Sequence, residues 1–163
     1  MPDEIATDSP AATDSNAQEL VLQSIYIKDA SFEAPNGPNL QVAEWNPQFG
    51  MNMNTAGGTV AENMHEVLLT ITLEAKIADK VAYLVEVKQA GVFLIKGYPV
   101  DEARRIIGSF CPGVLFPYVR QAISDLILKG GFPPFLLPPV NFDMLYQQSL
   151  DQAARQQPQS AIN

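Results

Sequence analysis

Cysteine and histidine are almost missing from this chain: Cys111 and His65 stand alone among 163 residues. A Ser/His/Asp or Cys/His catalytic arrangement would have to use that single imidazole. His65 opens a strand-like run, where a structural role is the favoured reading. Cys111 follows an apolar stretch and precedes a proline, the setting of a buried, inert thiol. One histidine and one cysteine cannot close a zinc site. A lone cysteine also excludes an intramolecular disulfide framework and gives no sign of an oxidising compartment. Gly57-Gly58 and Gly130-Gly131 do not match phosphate-binding loops. The expectation is a protein that is not an enzyme and needs no cofactor or metal.

Positive charge is the next shortage. The formal net charge is −8, which argues against a nucleic-acid partner, since that would need a basic patch. No Lys or Arg precedes Lys28, while Asp3, Glu4, Asp8, Asp14 and Glu19 are acidic. Residues 1–19, rich in Ala, Ser, Thr, Asp and Pro, read as a disordered acidic tail. Their composition lacks the basic and apolar regions of a signal peptide, and no apolar run approaches membrane-spanning length. A cytoplasmic protein without direct membrane insertion is expected. A second acidic block, Asp29, Glu33, Glu44, Glu62, Glu66 and Glu74, lies between Lys28 and Lys76 and falls inside the folded part.

Alternation supplies what charge does not. Val67, Leu69, Ile71, Leu73, Ala75 and Ile77 alternate with Leu68, Thr70, Thr72, Glu74 and Lys76, the pattern of a half-buried strand. After a turn at Asp79-Lys80, Val81, Tyr83, Val85 and Val87 alternate with Ala82, Leu84, Glu86 and Lys88. The two runs predict a long antiparallel hairpin, with Val67 and Ile71 as pure core. Leu20 to Phe32 reads as another strand, with apolar residues on both alternation sets and so partial cover on both faces. Gln41 to Asn54 is a weaker strand candidate interrupted by Pro47.

Helical patterns follow. Asp101 can cap a short helix that carries Ala103, Ile106, Ile107 and Phe110 and stops near Cys111-Pro-Gly113. A longer helix, with Val119, Ile123, Leu126 and Ile127, is expected to start near Pro117 and end at Lys129. Asn141 can cap a last helix bearing Phe142, Leu145, Tyr146 and Ala153. Strands first and helices afterwards indicate α+β, with helices packed on one face of an antiparallel sheet. One folded unit over residues 20–155 and a flexible tail over 156–163 complete the organisation.

Gly130-Gly-Phe-Pro-Pro-Phe-Leu-Leu-Pro-Pro139 is strongly apolar yet too rich in proline for a helix or a central strand. It must be a loop, and loops run over the surface. An apolar surface loop is either a lid on a core or one wall of a site for apolar things.

Three stretches together carry a resemblance: Ile25-Tyr-Ile-Lys-Asp-Ala-Ser-Phe-Glu-Ala-Pro-Asn36, Cys111-Pro-Gly-Val-Leu-Phe-Pro-Tyr-Val-Arg120, and Pro139-Val-Asn-Phe-Asp143 after a Gly-Phe-Pro loop. In this order the chain resembles SecB, the bacterial protein-export chaperone family, from Leu20 to Gln152. The resemblance implies a four-stranded antiparallel sheet with helices, assembled as a homotetramer that is a dimer of dimers. It implies a chaperone that binds unfolded preproteins, keeps them soluble and delivers them to the motor SecA without using nucleotide. An acidic patch that receives the zinc-containing C-terminal segment of SecA would fall on Asp29, Glu33 and Glu86, with Leu84 as apolar neighbour. A polar sheet face with surplus carboxylates would attract such a cationic module. The client groove would be lined by Trp45, Phe49, Phe132, Phe135, Phe142 and Tyr146. The long acidic N-terminal extension and the nearly uncharged tail AARQQPQSAIN depart from the family pattern. Two other readings fit the residues taken alone: a carrier for a small apolar ligand such as a fatty acid, closed by the proline loop, or a purely structural oligomerisation module.

Overall fold

The computed structural model describes residues 17–41 and 44–156. Four strands form one antiparallel sheet: β1 (Glu19–Glu33), β2 (Gln48–Ala61), β3 (Met64–Ile77) and β4 (Lys80–Lys96), in the order β1-β4-β3-β2. A short α1 (Gly37–Gln41) leaves β1. After β4, α2 (Val100–Arg105), a π-helical turn (Ile106–Phe110) and α3 (Cys111–Lys129) follow without a break, and α4 (Phe142–Gln156) comes last. The α+β class and the helix-on-one-face arrangement agree with the sequence reading. The tail assignments, residues 1–19 and 156–163, lie outside the described residues except at their inner ends, where Glu19 already belongs to β1 and Gln156 still to α4.

The β3–β4 hairpin is the centre of the molecule. Its turn lies at Ala78-Asp79, both at positive φ (47° and 66°), so it sits one residue earlier than the expected Asp79-Lys80. Paired positions Ile71↔Val87, Leu73↔Val85 and Ala75↔Tyr83 share the face under α3, and all six side chains are fully buried. From α3 the residues Leu115, Val119, Ile123 and Ile127 complete this core, at about 1.5–3 kcal/mol for each large side chain withdrawn from water.

β1 refines one expectation. Its apolar residues occupy both alternation sets partly because the register shifts twice, between Leu22 and Ser24 and between Ile27 and Asp29, while Val21 and Tyr26 stay on the other face opposite Leu94 and Ala90. Each bulge inserts one residue and reverses the phase. Leu20, Leu22, Ile25, Ile27, Ala30 and Phe32 therefore share the helix-covered side, through partners such as Ile95, Gly91 and Val85. Buried Gln89 donates from Nε2 to the carbonyl of Tyr26 (2.8 Å), next to the second bulge. β2 is also displaced from its expected span: it starts after Pro47 and runs to Ala61, with residues 42 and 43 outside the described set. A proline just ahead of a strand costs no ladder bond.

The helix boundaries differ more. Pro99 precedes α2 without a side-chain cap, and Asp101 sits in the first turn facing Arg104 at 3.4 Å. Cys111-Pro-Gly113 does not stop the helix. The turn before it widens to π geometry, which takes up the ring and missing N–H of Pro112. Pro117 lies inside α3, not at its start. Both it and Gly113 are exposed, so the Gly113 carbonyl that loses its helical donor faces water. Asn141 does cap α4, its Oδ1 accepting from the N–H of Met144 at 3.0 Å.

Candidate functional site: an acidic sheet face and an apolar trough

The sheet has two different surfaces. On the face away from α3, register places Glu33, Leu84, Glu74 and Gly50 in one row across the four strands. The next row is Ser31, Glu86, Thr72 and Asn52, and the third is Asp29, Lys88, Thr70 and Asn54. Asp29, Glu33, Leu84 and Glu86, the residues named from the resemblance, thus form one contiguous patch. Asp29 and Glu33 are exposed, Leu84 and Glu86 half-buried. Glu86 accepts from Thr72 Oγ1 (2.8 Å) and lies 3.8 Å from Lys88 Nζ. Glu74 is ion-paired with Lys76 at 2.8 Å.

Beside Leu84 a shallow cleft of about 350 Å³ opens over Gly50, Asn52, Thr72 and Glu74. Glu74 is the carboxylate that sequence reasoning missed. Its place opposite Leu84 depends on the bulge between Ala75 and Lys76, which a count outward from the turn does not supply.

Farther along the same face the charge is cancelled. Glu66 accepts from Lys28 Nζ at 2.9 Å on both oxygens and from the Tyr26 hydroxyl, reaching across the small Ala90 of β4. The Lys28 bond, then the Tyr26 bond, holds the Glu66 carboxyl below its ordinary pKa. The opposite end of the face keeps the surplus.

The aromatic residues named for a client groove fall into three places. Trp45 and Phe132 join Tyr83 and Phe32 in one cluster, with ring centroids 5.2 to 6.3 Å apart. Within this chain Phe132 is 3% exposed and Trp45 is half-buried. The Tyr83 hydroxyl at its centre has no hydrogen-bond partner among the described residues, and burial pushes its pKa up to about 12. Phe49 and Phe135 form a second pair at 4.3 Å, with Phe49 41% exposed. Phe142 is buried edge-on against Phe116 at 5.8 Å.

Tyr146 lines an open trough of about 450 Å³ between α4 and β2, walled by Met53, Thr55, Gly57, Leu145 and Tyr146, with Ile107 alongside. Phe49, Met51, Met53 and Thr55 all project from the helix side of β2, partnered by Ala75, Leu73, Ile71 and Leu69. Phe49 and Met51 remain exposed there, and Met53 half-buried. The strip continues from the Phe49–Phe135 pair into the trough, about 20 Å long at ~3.3 Å per strand residue. Met51, Leu145 and Ile107 were not legible as site residues, because exposure on an edge strand depends on where the last helix stops. The proline loop is part lid and part exposed apolar surface. Phe132 and Leu137 plug the core, while Phe135 is half-buried and Leu136 is 62% exposed.

Two further clefts flank the root of α4. One of about 620 Å³ runs over Val114, Pro139 and Val140, and one of about 360 Å³ over Leu20, Tyr98 and Glu102. Both reach Ser109, Phe110 and Asp143. No helix among the described residues is long and apolar enough to cross a membrane.

Comparisons with known proteins point one way. The family profile described as preprotein translocase subunit SecB matches residues 13–153. The protein-export protein SecB of Nitrosococcus oceani is 44% identical over 151 residues, covering 91% of this chain and 92% of the relative. That of Methylococcus capsulatus is 46% identical over 144 residues, covering 88% and 92%. Among solved structures, a SecB-like chaperone of Mycobacterium tuberculosis in complex with an antitoxin peptide superposes with a TM-score of 0.62. It is 14% identical and covers 74% of this chain and 90% of its own, a likeness of fold. On the strength of the profile and of relatives aligned along nearly their whole length, this chain belongs to the SecB family.

Proposed function

We propose that the protein is a protein-export chaperone that holds unfolded preproteins on the open apolar strip of β2 and the adjoining trough, and passes them to the SecA motor through the acidic sheet face. The observation that carries this reading is the helix-side row of exposed Phe49 and Met51 and half-buried Met53 on an edge strand, continuous with Tyr146 and Leu145. A lone folded subunit would gain by covering such a row, so its exposure indicates a surface kept for apolar chain segments. The solved SecB-like structure holding a peptide is in line with this reading.

Binding alone performs the task, with no cofactor or catalytic step. One large apolar side chain of a client contributes about 1.5–3 kcal/mol. Three anchors give roughly 4.5–9 kcal/mol, less about 2–5 for ordering the client. One strip therefore binds weakly and releases quickly. Repetition over a homotetramer, a dimer of dimers, makes later contacts intramolecular and raises avidity by about 10²–10⁴. Selection needs no sequence code, because a fast-folding chain hides its apolar segments first. The protein acts in the cytoplasm, where preproteins are still unfolded.

The acidic end works separately. Asp29, Glu33, Glu74 and Glu86 surround Leu84 with carboxylates that Lys76 and Lys88 only partly offset. This suits the small cationic, zinc-containing C-terminal segment of SecA, with Leu84 as the apolar contact. Charge reversal at Asp29, Glu33 and Glu86 should abolish motor binding and leave client holding intact. Equal loss of both would refute the division of labour. The carrier reading predicts stoichiometric fatty-acid binding and no effect on a refolding protein; the relatives, named as protein-export proteins, give it no support.

A further inference from the structure

Among the described residues, the side-chain contacts that hold α4 to the rest of the chain gather in its first five residues. Phe142 packs edge-on against Phe116. One carboxylate oxygen of Asp143, Oδ1, accepts from Ser109 Oγ at 2.8 Å and from Arg105 Nη2 at 3.3 Å. The ring of Tyr146 lies on the bare Cα of Gly108, where an added Cβ would come within 2.6 Å of Tyr146 Cδ2. From Gln147 to Gln156 every residue is exposed. The helix overhangs.

Gly108 and Ser109 both belong to the π turn between α2 and α3. A π turn adds one residue per turn and reorients the residues that follow, a geometry that recurs at functional sites. Here it presents a glycine and a buried hydroxyl (Ser109 is 6% exposed) side by side to the same helix. The glycine fixes how closely Tyr146 approaches. The hydroxyl fixes where the first turn of α4 is pinned. Tyr146 and Leu145 are walls of the trough, whose opposite wall is β2. The pinning points therefore set the trough's width.

We infer that Gly108, Ser109 and Asp143 are positioning residues for client capture: the π turn is a cradle that holds α4 at a fixed height over β2, and releasing it spoils the fit of the trough to an extended apolar chain segment. This rests on the trough being the client site. Contacts gathered at its root and an exposed outer half place α4 at the low-stability end of the molecule, where local opening precedes global unfolding. Pro138-Pro139 just ahead of Asn141 confine the pivot to the root of the helix.

The test uses the full-length assembled protein, with amide hydrogen exchange resolved by peptide and, separately, retention of reduced, carboxymethylated α-lactalbumin as an unfolded probe. Gly108→Ala should speed exchange across residues 142–156 by about tenfold or more while α3 around Ile123 is unchanged. Ser109→Ala and Asp143→Asn should each give a smaller acceleration. The double variant should fall short of the sum of the two single effects, because the residues share the Ser109–Asp143 hydrogen bond. Ser109→Thr, which keeps the hydroxyl, should restore protection. In each loosened variant the probe should dissociate several-fold faster.

Unchanged α4 exchange in both Gly108→Ala and the double variant would overturn the cradle. Faster exchange with unaltered probe retention would overturn its part in capture. A wild-type protein that ignores the probe would instead sink the client reading, leaving the exchange data to judge the cradle by itself.

Discussion

The two long helices of this chain are built on opposite principles. α3 buries Leu115, Val119, Ile123 and Ile127 against the β3–β4 hairpin and is inseparable from the core. α4 is nearly as long, yet Phe142 is its only buried residue, and Met144, Leu145 and Leu150 are 54%, 40% and 46% exposed. An amphipathic helix normally spends its apolar stripe on its own core. When the stripe is left open beside an equally open strand, the fold has kept that surface for something outside itself. Under the proposed function, stability and capture are carried by different elements, so each can be broken separately.

The largest effect should come from the first helix. Ile123→Ala should destabilise the protein by about 2–5 kcal/mol in denaturant unfolding, through lost burial and the cavity left behind. Leu150→Ala on α4 should change stability by no more than about 0.5 kcal/mol. Comparable losses would erase the contrast between the helices.

Tyr83→Phe, under the aromatic cluster, removes a buried hydroxyl that has no partner among the described residues. It should leave stability unchanged or raise it by about 1 kcal/mol. A loss of that size would mean the hydroxyl is satisfied in solution.

Acid should distinguish the helices again. Ser109 first and Arg105 second hold the Asp143 carboxyl below its ordinary pKa. The docked α4 therefore favours the charged form, and that contribution is present above the ordinary carboxylate pKa and lost as pH falls through the lowered one. Glu102 and Arg105 line the same cleft. Opening of α4, corrected for intrinsic exchange, should be flat from about pH 5 to 8 and rise only below about pH 4, with α3 unaffected.

The smallest effect concerns Cys111, at the start of α3, whose thiol burial pushes up to about 12. It should resist alkylation at neutral pH until the protein unfolds, because only the thiolate attacks. Rapid labelling of the native protein would show that this end of α3 opens.

How much of this was legible depends on whether a residue's role is local. The β3–β4 alternation is local, and Val67 and Ile71 proved to be fully buried as read. The phase of β1 is not local, because the bulges at Gln23 and Lys28 exist only in register with β4. β2 was obscured by Asn52, Asn54, Gly57 and Gly58, residues of low strand propensity that pairing with β3 overrides. Pro112 and Pro117 were read as helix boundaries, since the rule that proline ends helices ignores the π turn and the solvent-facing side that absorb them. At the acidic face, resemblance supplied Asp29, Glu33, Leu84 and Glu86, whereas Glu74 needed the hairpin register. On the apolar side the aromatics were named, but which lay open and which were sealed required coordinates: Phe49 on one hand, Phe132 and Phe142 on the other.

The most direct test replaces the exposed row itself. Wild-type protein, added to a slowly refolding client as it is diluted from denaturant, should delay recovery of the native client. Phe49→Asp combined with Met51→Asp, on surface positions that leave the core intact, should abolish most of that delay while unfolding and assembly mass stay unchanged. A double variant that still arrests refolding as strongly as the wild type would contradict the account, because the strip along β2 would then not be where unfolded chains are held.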